Sequence, residues 1–243
     1  MSEKEGSSFS QESTEGESSY EGHVAVFEHE ARNCLSLVLG KAQLLEILMR
    51  SSPTVTPTMV AAVQTIVRES RNLGSLLMDL RMGEGEFVLR SRFLDMRPIL
   101  YATAEAAATF SPVHNLIVDA PEDLPQVFAD EERIDLVLRN LVLNAIKYSP
   151  KGGEVKISGA EEGDLVKVSV KDQGLGVPLE ERERIFDRFY RIQTGEHFGI
   201  RGTGIGLNNV KRIIDAHGGR AWVESAGVDK GSTFYFTLPQ AEK

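Results

Sequence analysis

Cysteine is nearly absent from this chain of 243 residues: Cys34 is the single one. That excludes an intramolecular disulfide framework and a zinc site built from cysteines alone, and it suits a reducing, cytoplasmic setting. No apolar run approaches the ~18–20 residues that a membrane-crossing helix needs, so no integral membrane segment is expected. The opening stretch MSEKEGSSFSQESTEGE lacks the apolar core of a secretory signal. Positive charge is also short, with 27 Lys and Arg against 36 Asp and Glu, a net charge of −9. Such a balance disfavours unspecific adherence to nucleic acid, and no nucleic-acid partner is expected.

The acidity is uneven. Residues 1–22 hold six Glu and one Lys among Ser and Gly. With almost nothing to bury, this stretch is expected to be a disordered acidic tail. From Val24 onward Phe27, Ala31, Leu35, Val38, Ala42, Leu45 and Met49 recur at steps of 3 and 4, the seam of an amphipathic helix. Ser51–Pro57 interrupts it, and Thr56 is placed to cap a new helix with Pro57 at its first position. Met59, Val63, Ile66, Ser70, Leu73, Leu77 and Leu80 then repeat the seam. Residues 23–82 therefore read as a helical hairpin. One hairpin leaves an apolar face open, and two of them close a four-helix bundle, so a homodimer is expected.

Gly83-Glu84-Gly85 marks a boundary, and 83–90 reads as a hinge linker running into a first strand, Glu86–Arg92. Residues 91–243 form the remaining module. Helices are expected over Pro98–Thr109, Asp130–Tyr148 and Thr203–His217. Strands are expected at His114–Asp119, Val127–Ala129, Glu154–Gly159, Leu165–Lys171, Arg220–Ser225 and Thr233–Leu238. This order suggests an α/β sandwich with helices on one sheet face, and an α+β chain as a whole.

Four clusters carry chemistry. His29-Glu30-Ala31-Arg32-Asn33 begins like a zinc-binding HExxH helix, but Asn33 stands where the second histidine belongs and is a poor zinc ligand. His29, Asn33 and Ser36 share the outward face of the first helix. There Glu30 can orient the imidazole and take its ring proton while the other nitrogen attacks an electrophile. Second, Asn140, Asn144, Lys147 and Tyr148 lie within two turns of one helix; amide oxygens suit Mg²⁺ and the lysine suits a phosphate. Third, Asp172-Gln173-Gly174-Leu175-Gly176-Val177-Pro178 follows a strand, placing a carboxylate where it can accept from an exocyclic amine beside glycines that admit a flat ring. Fourth, Gly202-Thr203-Gly204-Ile205-Gly206-Leu207 opens a helix with bare backbone N–H groups towards a phosphate. Between the last two, an aperiodic stretch carrying Arg188 and Arg191 reads as a lid. Taken singly, each cluster also reads as ordinary structure: a solvated helix face, a turn, a flexible loop.

Taken in order, the clusters resemble the transmitter region of two-component sensor histidine kinases, whose ATPase domain is shared with the GHKL superfamily. The H box is Phe27–Asn33, the N box Asn140–Tyr148, the first glycine box Asp172–Pro178, the F box Phe186–Arg191 and the second glycine box Gly202–Leu207, followed by His217-Gly218-Gly219. Phe93–Leu100 ahead of the first helix of the module is also familiar. The resemblance implies a dimeric helical hairpin followed by a GHKL, or Bergerat-type, α/β sandwich, with ATP and Mg²⁺ as cofactors. His29 would accept the γ-phosphoryl group and Glu30 would act as base. Asn144 would ligate Mg²⁺ with Asn140 nearby, Lys147 would meet the phosphates, and Tyr148 would pack near the nucleotide. Asp172 would bind the adenine amine between Gly174 and Gly176. Arg191, with Arg188 in the same lid, would reach the phosphates, while Gly202, Thr203, Gly204, Gly206 and Leu207 would shape the hinge and phosphate wall.

The implied partner is a response regulator receiver domain, which takes the phosphoryl group on an aspartate. Asn33, one turn after His29, could position water against that phospho-aspartate, a phosphatase role. Cys34 departs from the family, which commonly has a helix-bending proline there. Two rival readings are an idle ATP-binding dimeric scaffold and another GHKL-type ATPase or serine kinase.

Overall fold

A computed structural model describes residues 88–109, 111–193, 195–200 and 202–241, together with 31, 33, 35–45, 47–49, 56, 58–60, 62–63, 65–66 and 70. The chain divides into two units, Met1–Gly85 and Glu86–Lys243. The expected acidic tail, His29, Glu30, Cys34 and the glycines at 83 and 85 lie outside the described residues.

In the first unit, residues 35–45 and 47–49 are helical, and helix resumes at 58. Thr56 starts the second stretch: its Oγ1 accepts from the Met59 amide at 3.3 Å and its carbonyl from the Val60 amide at 3.1 Å. A hydroxyl in this position satisfies a donor that the first helical turn leaves unpaired. Met59 and Ala62 are buried, whereas Leu35, Leu39, Ile47, Met49 and Val63 are exposed.

The second unit is a two-layer sandwich. Its elements are β1 (Arg92–Leu94), α1 (Met96–Ala108), β2 (His114–Asp119), β3 (Val127–Ala129), α2 (Glu131–Lys147), β4 (Gly153–Glu162), β5 (Leu165–Lys171), α3 (Gly206–Ala216), β6 (Arg220–Glu224) and β7 (Thr233–Pro239). Three single-turn 3-10 helices fall between β5 and α3. The main sheet has the order β2-β4-β5-β7-β6. The β2–β4 pair is parallel and the other pairs are antiparallel.

Alternation decides which sheet face is covered. Val155 and Ile157 of β4, Val166, Val168 and Val170 of β5, and Phe234 and Phe236 of β7 are buried, while Lys156, Ser158, Lys167, Ser169 and Tyr235 between them are half-exposed. With a period of two, this puts these buried residues on the face that meets the helices. From α1 come Met96 and Leu100, and from α2 Ile134, Leu138 and Leu141, all at or below 1% exposure.

β4 runs to Glu162 rather than Gly159, and three further boundaries differ from the sequence expectation for a local reason. The first strand is Arg92–Leu94 rather than Glu86–Arg92, and residues 88–91 are not in a strand. Its partner β3 offers only three residues, paired from Arg92↔Ala129 to Leu94↔Val127. The Arg90 amide is instead taken by the Asp130 carboxylate at 2.8 Å. Helix α1 starts two residues before Pro98 because Asp95 caps it, accepting from the Arg97 amide at 2.9 Å. Pro98 then sits in the first turn, where a missing N–H costs nothing. Helix α3 begins at Gly206 rather than Thr203, since Gly204 just before it has φ +71°.

Asp130 joins three segments. One carboxylate oxygen caps α2 through the Arg133 amide at 3.2 Å, and the other holds Arg90. Its own amide donates to Nε2 of buried His217 at 3.0 Å. That ring's Nδ1 contacts the Ile213 carbonyl at 2.8 Å, which makes Nδ1 the protonated nitrogen. Thus the C-terminal end of α3 is pinned to the N-terminal end of α2. Asp130→Ala is expected to lower the unfolding free energy of this unit by about 1–2 kcal/mol, the cost of a lost helix cap, readable by urea titration of intrinsic fluorescence.

Candidate functional site

Helix α2 is fixed by its apolar stripe and its ends: Asp130 caps it, Glu131 and Glu132 occupy its first turn and Lys147 its last, each charge matching the helix dipole. With one stripe committed to the core, Asn140, Asn144 and Lys147 fall on a half-buried stripe beside it. The Asn140 Nδ2 donates to the Leu136 carbonyl at 3.0 Å, which turns Oδ1 outward. That oxygen faces Gly206, where a Cβ would stand 2.7 Å away. The Lys147 ammonium fills the space a Cβ would take at Gly202, at 2.5 Å, and lies 5.2 Å from the centre of the Tyr148 ring. So the second glycine box rests on the polar heads of the N box. Burial raises the Tyr148 phenol above its ordinary pKa, and the charge of Arg191 opposes that rise.

Directly after β5 comes Asp172, only 4% exposed. Its Oδ1 accepts from the Gly174 amide at 2.8 Å and the Ser232 amide at 3.1 Å. The Asp172 amide returns a bond to the Ser232 carbonyl at 2.9 Å. Two donors aimed at one oxygen fix the carboxylate plane and leave Oδ2 for a ligand. Burial pushes the carboxyl above the ordinary aspartate range, while the two amide bonds pull it back in part. Gly174 packs directly on the Tyr148 carbonyl, and the Leu175 amide donates to that same carbonyl at 2.9 Å. Any side chain at 174 would push the first glycine box off the N box. Gly176, with φ +69°, closes against the Gly227 carbonyl.

The lid runs from the end of β5 to α3. Phe186 anchors it in the core, edge-on to Phe234 at 6.5 Å. The two lid ends meet where the Phe189 amide donates to the Gly204 carbonyl at 2.8 Å. Phe189 has φ +66°, a conformation that a non-glycine residue rarely holds without support. Arg191 reaches back to Ile200, Nη2 to carbonyl at 2.6 Å, and lies close enough to Tyr148 for its charge to act on the phenol. Arg188 instead lies over the Phe189 ring at 4.8 Å. Thr203 Oγ1 accepts from the Ile205 amide at 3.4 Å, and Leu207 is half-buried in the first turn of α3.

Gly204 is the strictest position of the second glycine box. Its left-handed φ favours glycine, and a Cβ would lie 2.6–2.7 Å from the backbone of Phe189 and Tyr190. Gly204→Ala is expected to weaken nucleotide binding by about five- to 150-fold, the counterpart of some 1–3 kcal/mol of backbone strain. Gly202→Ala, whose neighbour is the flexible end of Lys147, is expected to cost less. Calorimetric titration of both variants with ATP checks the order.

The structure thus gathers Asn140, Asn144, Lys147, Tyr148, Asp172, Gly174, Gly176, Arg191, Gly202, Thr203, Gly204, Gly206 and Leu207 around α2 and the end of β5. It does not place Arg188 there. Asn33 is helical and exposed in the other unit. Ser232 escaped the sequence reading; its signal was the Gly231-Ser232-Thr233 run opening β7, which the Lys171↔Thr233 pairing sets beside Asp172. His197, a buried lid residue, also escaped it. No cluster of three or more His, Cys, Asp or Glu suited to a metal occurs among the described residues. The amide oxygens fit Mg²⁺ held largely by a nucleotide's own phosphates, and the Lys147 ammonium fits those phosphates. The buried carboxylate and the glycine-walled cleft beside it fit a purine bearing an amine.

The class follows from this geometry and from sequence comparison. Residues 129–242 match the family described as histidine kinase-, DNA gyrase B-, and HSP90-like ATPase, and this module is a GHKL-type ATPase domain. More particularly, the chain is similar to sensor histidine kinases. Sensor histidine kinase WalK of Bacillus subtilis (strain 168) is 45% identical over 116 residues, 47% of this chain and 19% of that protein. The adaptive-response sensory kinase SasA of Gloeothece citriformis (strain PCC 7424) is 32% identical over 225 residues, 89% of this chain and 56% of that protein. The crystal structure of histidine kinase ThkA in complex with response regulator protein TrrA covers 90% of this chain and 61% of that one, at 26% identity and a TM-score of 0.60. The chain spans less than two thirds of either curated relative. No helix among the described residues is long and apolar enough to cross a membrane.

Proposed function

We propose that this chain is a protein-histidine kinase that transfers the γ-phosphoryl group of ATP to His29 and then to an aspartate of a response regulator receiver domain. The observation that carries the reading is Asp172, a buried carboxylate held by two backbone amides, followed by Gly174 and Leu175, which pack on the Tyr148 carbonyl at the end of α2. Asp172 Oδ2 accepts from the adenine amine. Tyr148 packs on the nucleotide, Lys147 and Arg191 neutralise phosphate charge, and Asn144 with Asn140 beside it supplies amide oxygen to Mg²⁺, which neutralises the phosphates and orients them when bound. Phosphoryl transfer asks for this positioning and charge neutralisation more than for covalent help from the domain. At the acceptor, one imidazole nitrogen of His29 attacks the γ-phosphorus, ADP departs, and Glu30 takes the proton from the other nitrogen. Asn33, exposed on its helix, would orient water for a phosphatase reaction.

A homodimer is supported by Leu35, Leu39, Ile47, Met49 and Val63, exposed in the single chain and able to close a four-helix bundle with a second hairpin. The cytoplasm, where ATP and receiver domains occur together, is the proposed setting. Incubation with γ-labelled Mg-ATP tests the reading. Acid-labile, alkali-stable label that passes to a receiver domain is expected. Bound nucleotide without label would indicate a scaffold, and acid-stable label a serine kinase; either result overturns the proposal.

A further inference from the structure

The lid carries one residue whose environment its neighbours do not share. In the single-turn helix Gly195–Gly199, residues 195, 196, 198 and 199 are exposed, with Phe198 at 71%, yet His197 is only 7% exposed. Its Nε2 lies 3.0 Å from the Gly176 carbonyl, so this nitrogen carries the proton and donates. Its ring centre lies 5.9 Å from that of Tyr148, tilted by 36°. One side chain of the lid therefore touches both walls of the base side of the cleft: the backbone of the first glycine box and the aromatic ring of the N box. The same lid turn is tied to Arg191, since the Ile200 amide donates to the His197 carbonyl at 3.1 Å and the Ile200 carbonyl accepts from Arg191 Nη2 at 2.6 Å. Burying a polar ring in an otherwise solvated loop costs desolvation and side-chain entropy, which these two contacts offset.

We propose that His197 is a nucleotide-positioning residue, a latch that holds the lid down on the adenosine side of the site by bridging Gly176 and Tyr148. It sets how long ATP stays and how well Arg191 is aimed, and takes no part in bond making. The inference rests on the ATP-binding reading above. Loss of the latch frees the lid at its middle while both ends stay attached, at Phe186 and at the Phe189–Gly204 bond.

The test compares His197→Ala, His197→Gln and His197→Phe in the full chain. Dissociation of a fluorescent N-methylanthraniloyl ATP is followed by chase with unlabelled ATP, and KM and saturating rate are taken from autophosphorylation. His197→Ala is expected to speed dissociation about tenfold, the combined loss of one hydrogen bond and one ring contact, and to raise KM by several times more than it lowers the saturating rate. His197→Gln, which keeps a donor for the Gly176 carbonyl, and His197→Phe, which keeps the ring against Tyr148, should each recover part of the loss. A folded His197→Ala protein with the wild-type dissociation rate overturns the latch. So does a loss that appears only as a smaller active fraction, because a merely structural role would give that. Failure of the wild-type protein to bind the analogue at all would overturn the ATP-site reading instead, so the two failures are distinct.

Discussion

His29→Gln is expected to reduce covalent labelling from γ-labelled ATP by about a thousandfold or more while ATP still binds. The reason is electronic. A neutral imidazole presents a nitrogen lone pair in the ring plane, free to attack phosphorus. A Gln amide nitrogen has its lone pair delocalised into the carbonyl, so it fills similar volume without being a nucleophile. Removing the nucleophile deletes the reaction rather than slowing one contribution to it. Retained acid-labile label in His29→Gln, quantified after gel separation, would move the phosphoryl acceptor elsewhere in the chain. Mixing this variant with a site-defective Asp172→Asn chain would then show whether one protomer labels its partner.

Asp172→Asn is expected to weaken ATP binding by about a hundredfold and, at neutral pH without nucleotide, to leave the protein more resistant to unfolding than the wild type. The first effect follows from replacing an acceptor by a donor. The Asn Oδ1 can still take the Gly174 and Ser232 amides, which turns its NH₂ towards the adenine amine, donor against donor. A charge-assisted hydrogen bond is lost and a buried donor is left unpaired, together about 3 kcal/mol. The second effect follows from the sign of the pKa shift. Burial, the dominant cause, raises the Asp172 carboxyl above its ordinary 3.8 in the folded protein. Between 3.8 and the raised value the folded state binds more protons than the unfolded one, so stability falls as pH rises through that window. Above that window the penalty is present, and Asn removes it. ATP affinity carries the opposite dependence: the carboxylate must be ionised to accept, so affinity declines on acidification sooner than for an ordinary aspartate. Thermal melts with and without ATP, in wild type and Asp172→Asn, measure both. Equal melting temperatures of the two nucleotide-free proteins at neutral pH would remove burial as the cause.

Much of this site was legible in the chain because it sits on periodic elements. Helix α2 declared itself through its cap, its stripe of Ile134, Leu138 and Leu141 and its last-turn lysine, and once that stripe is inward Asn140, Asn144 and Lys147 have nowhere else to go. Asp172 was readable as a carboxylate at a strand end. What sequence could not supply was partnership across distance. The Ser232 amide that shares Asp172 is 60 residues away and arrives only because β7 lies beside β5. The shortened first strand depended on a side chain forty residues on, Asp130, taking the Arg90 amide. His197 illustrates the limit most sharply. In an aperiodic loop no spacing marks one residue as inward, so its burial belongs to the lid's path and not to any local pattern. His29 and Glu30, whose roles the resemblance implies, lie outside the described residues.

Pinning α3 at His217 turns that helix into a lever with its fulcrum at the far end. Eleven residues at ~1.5 Å per residue make an arm of about 16 Å. Rotating such an arm by roughly ten degrees about the His217–Asp130 bond carries its tip, Gly206, through about 3 Å, the length of a hydrogen bond. The contact between Gly206 and the Asn140 Oδ1 thus lies at the end of α3 farthest from the joint at His217.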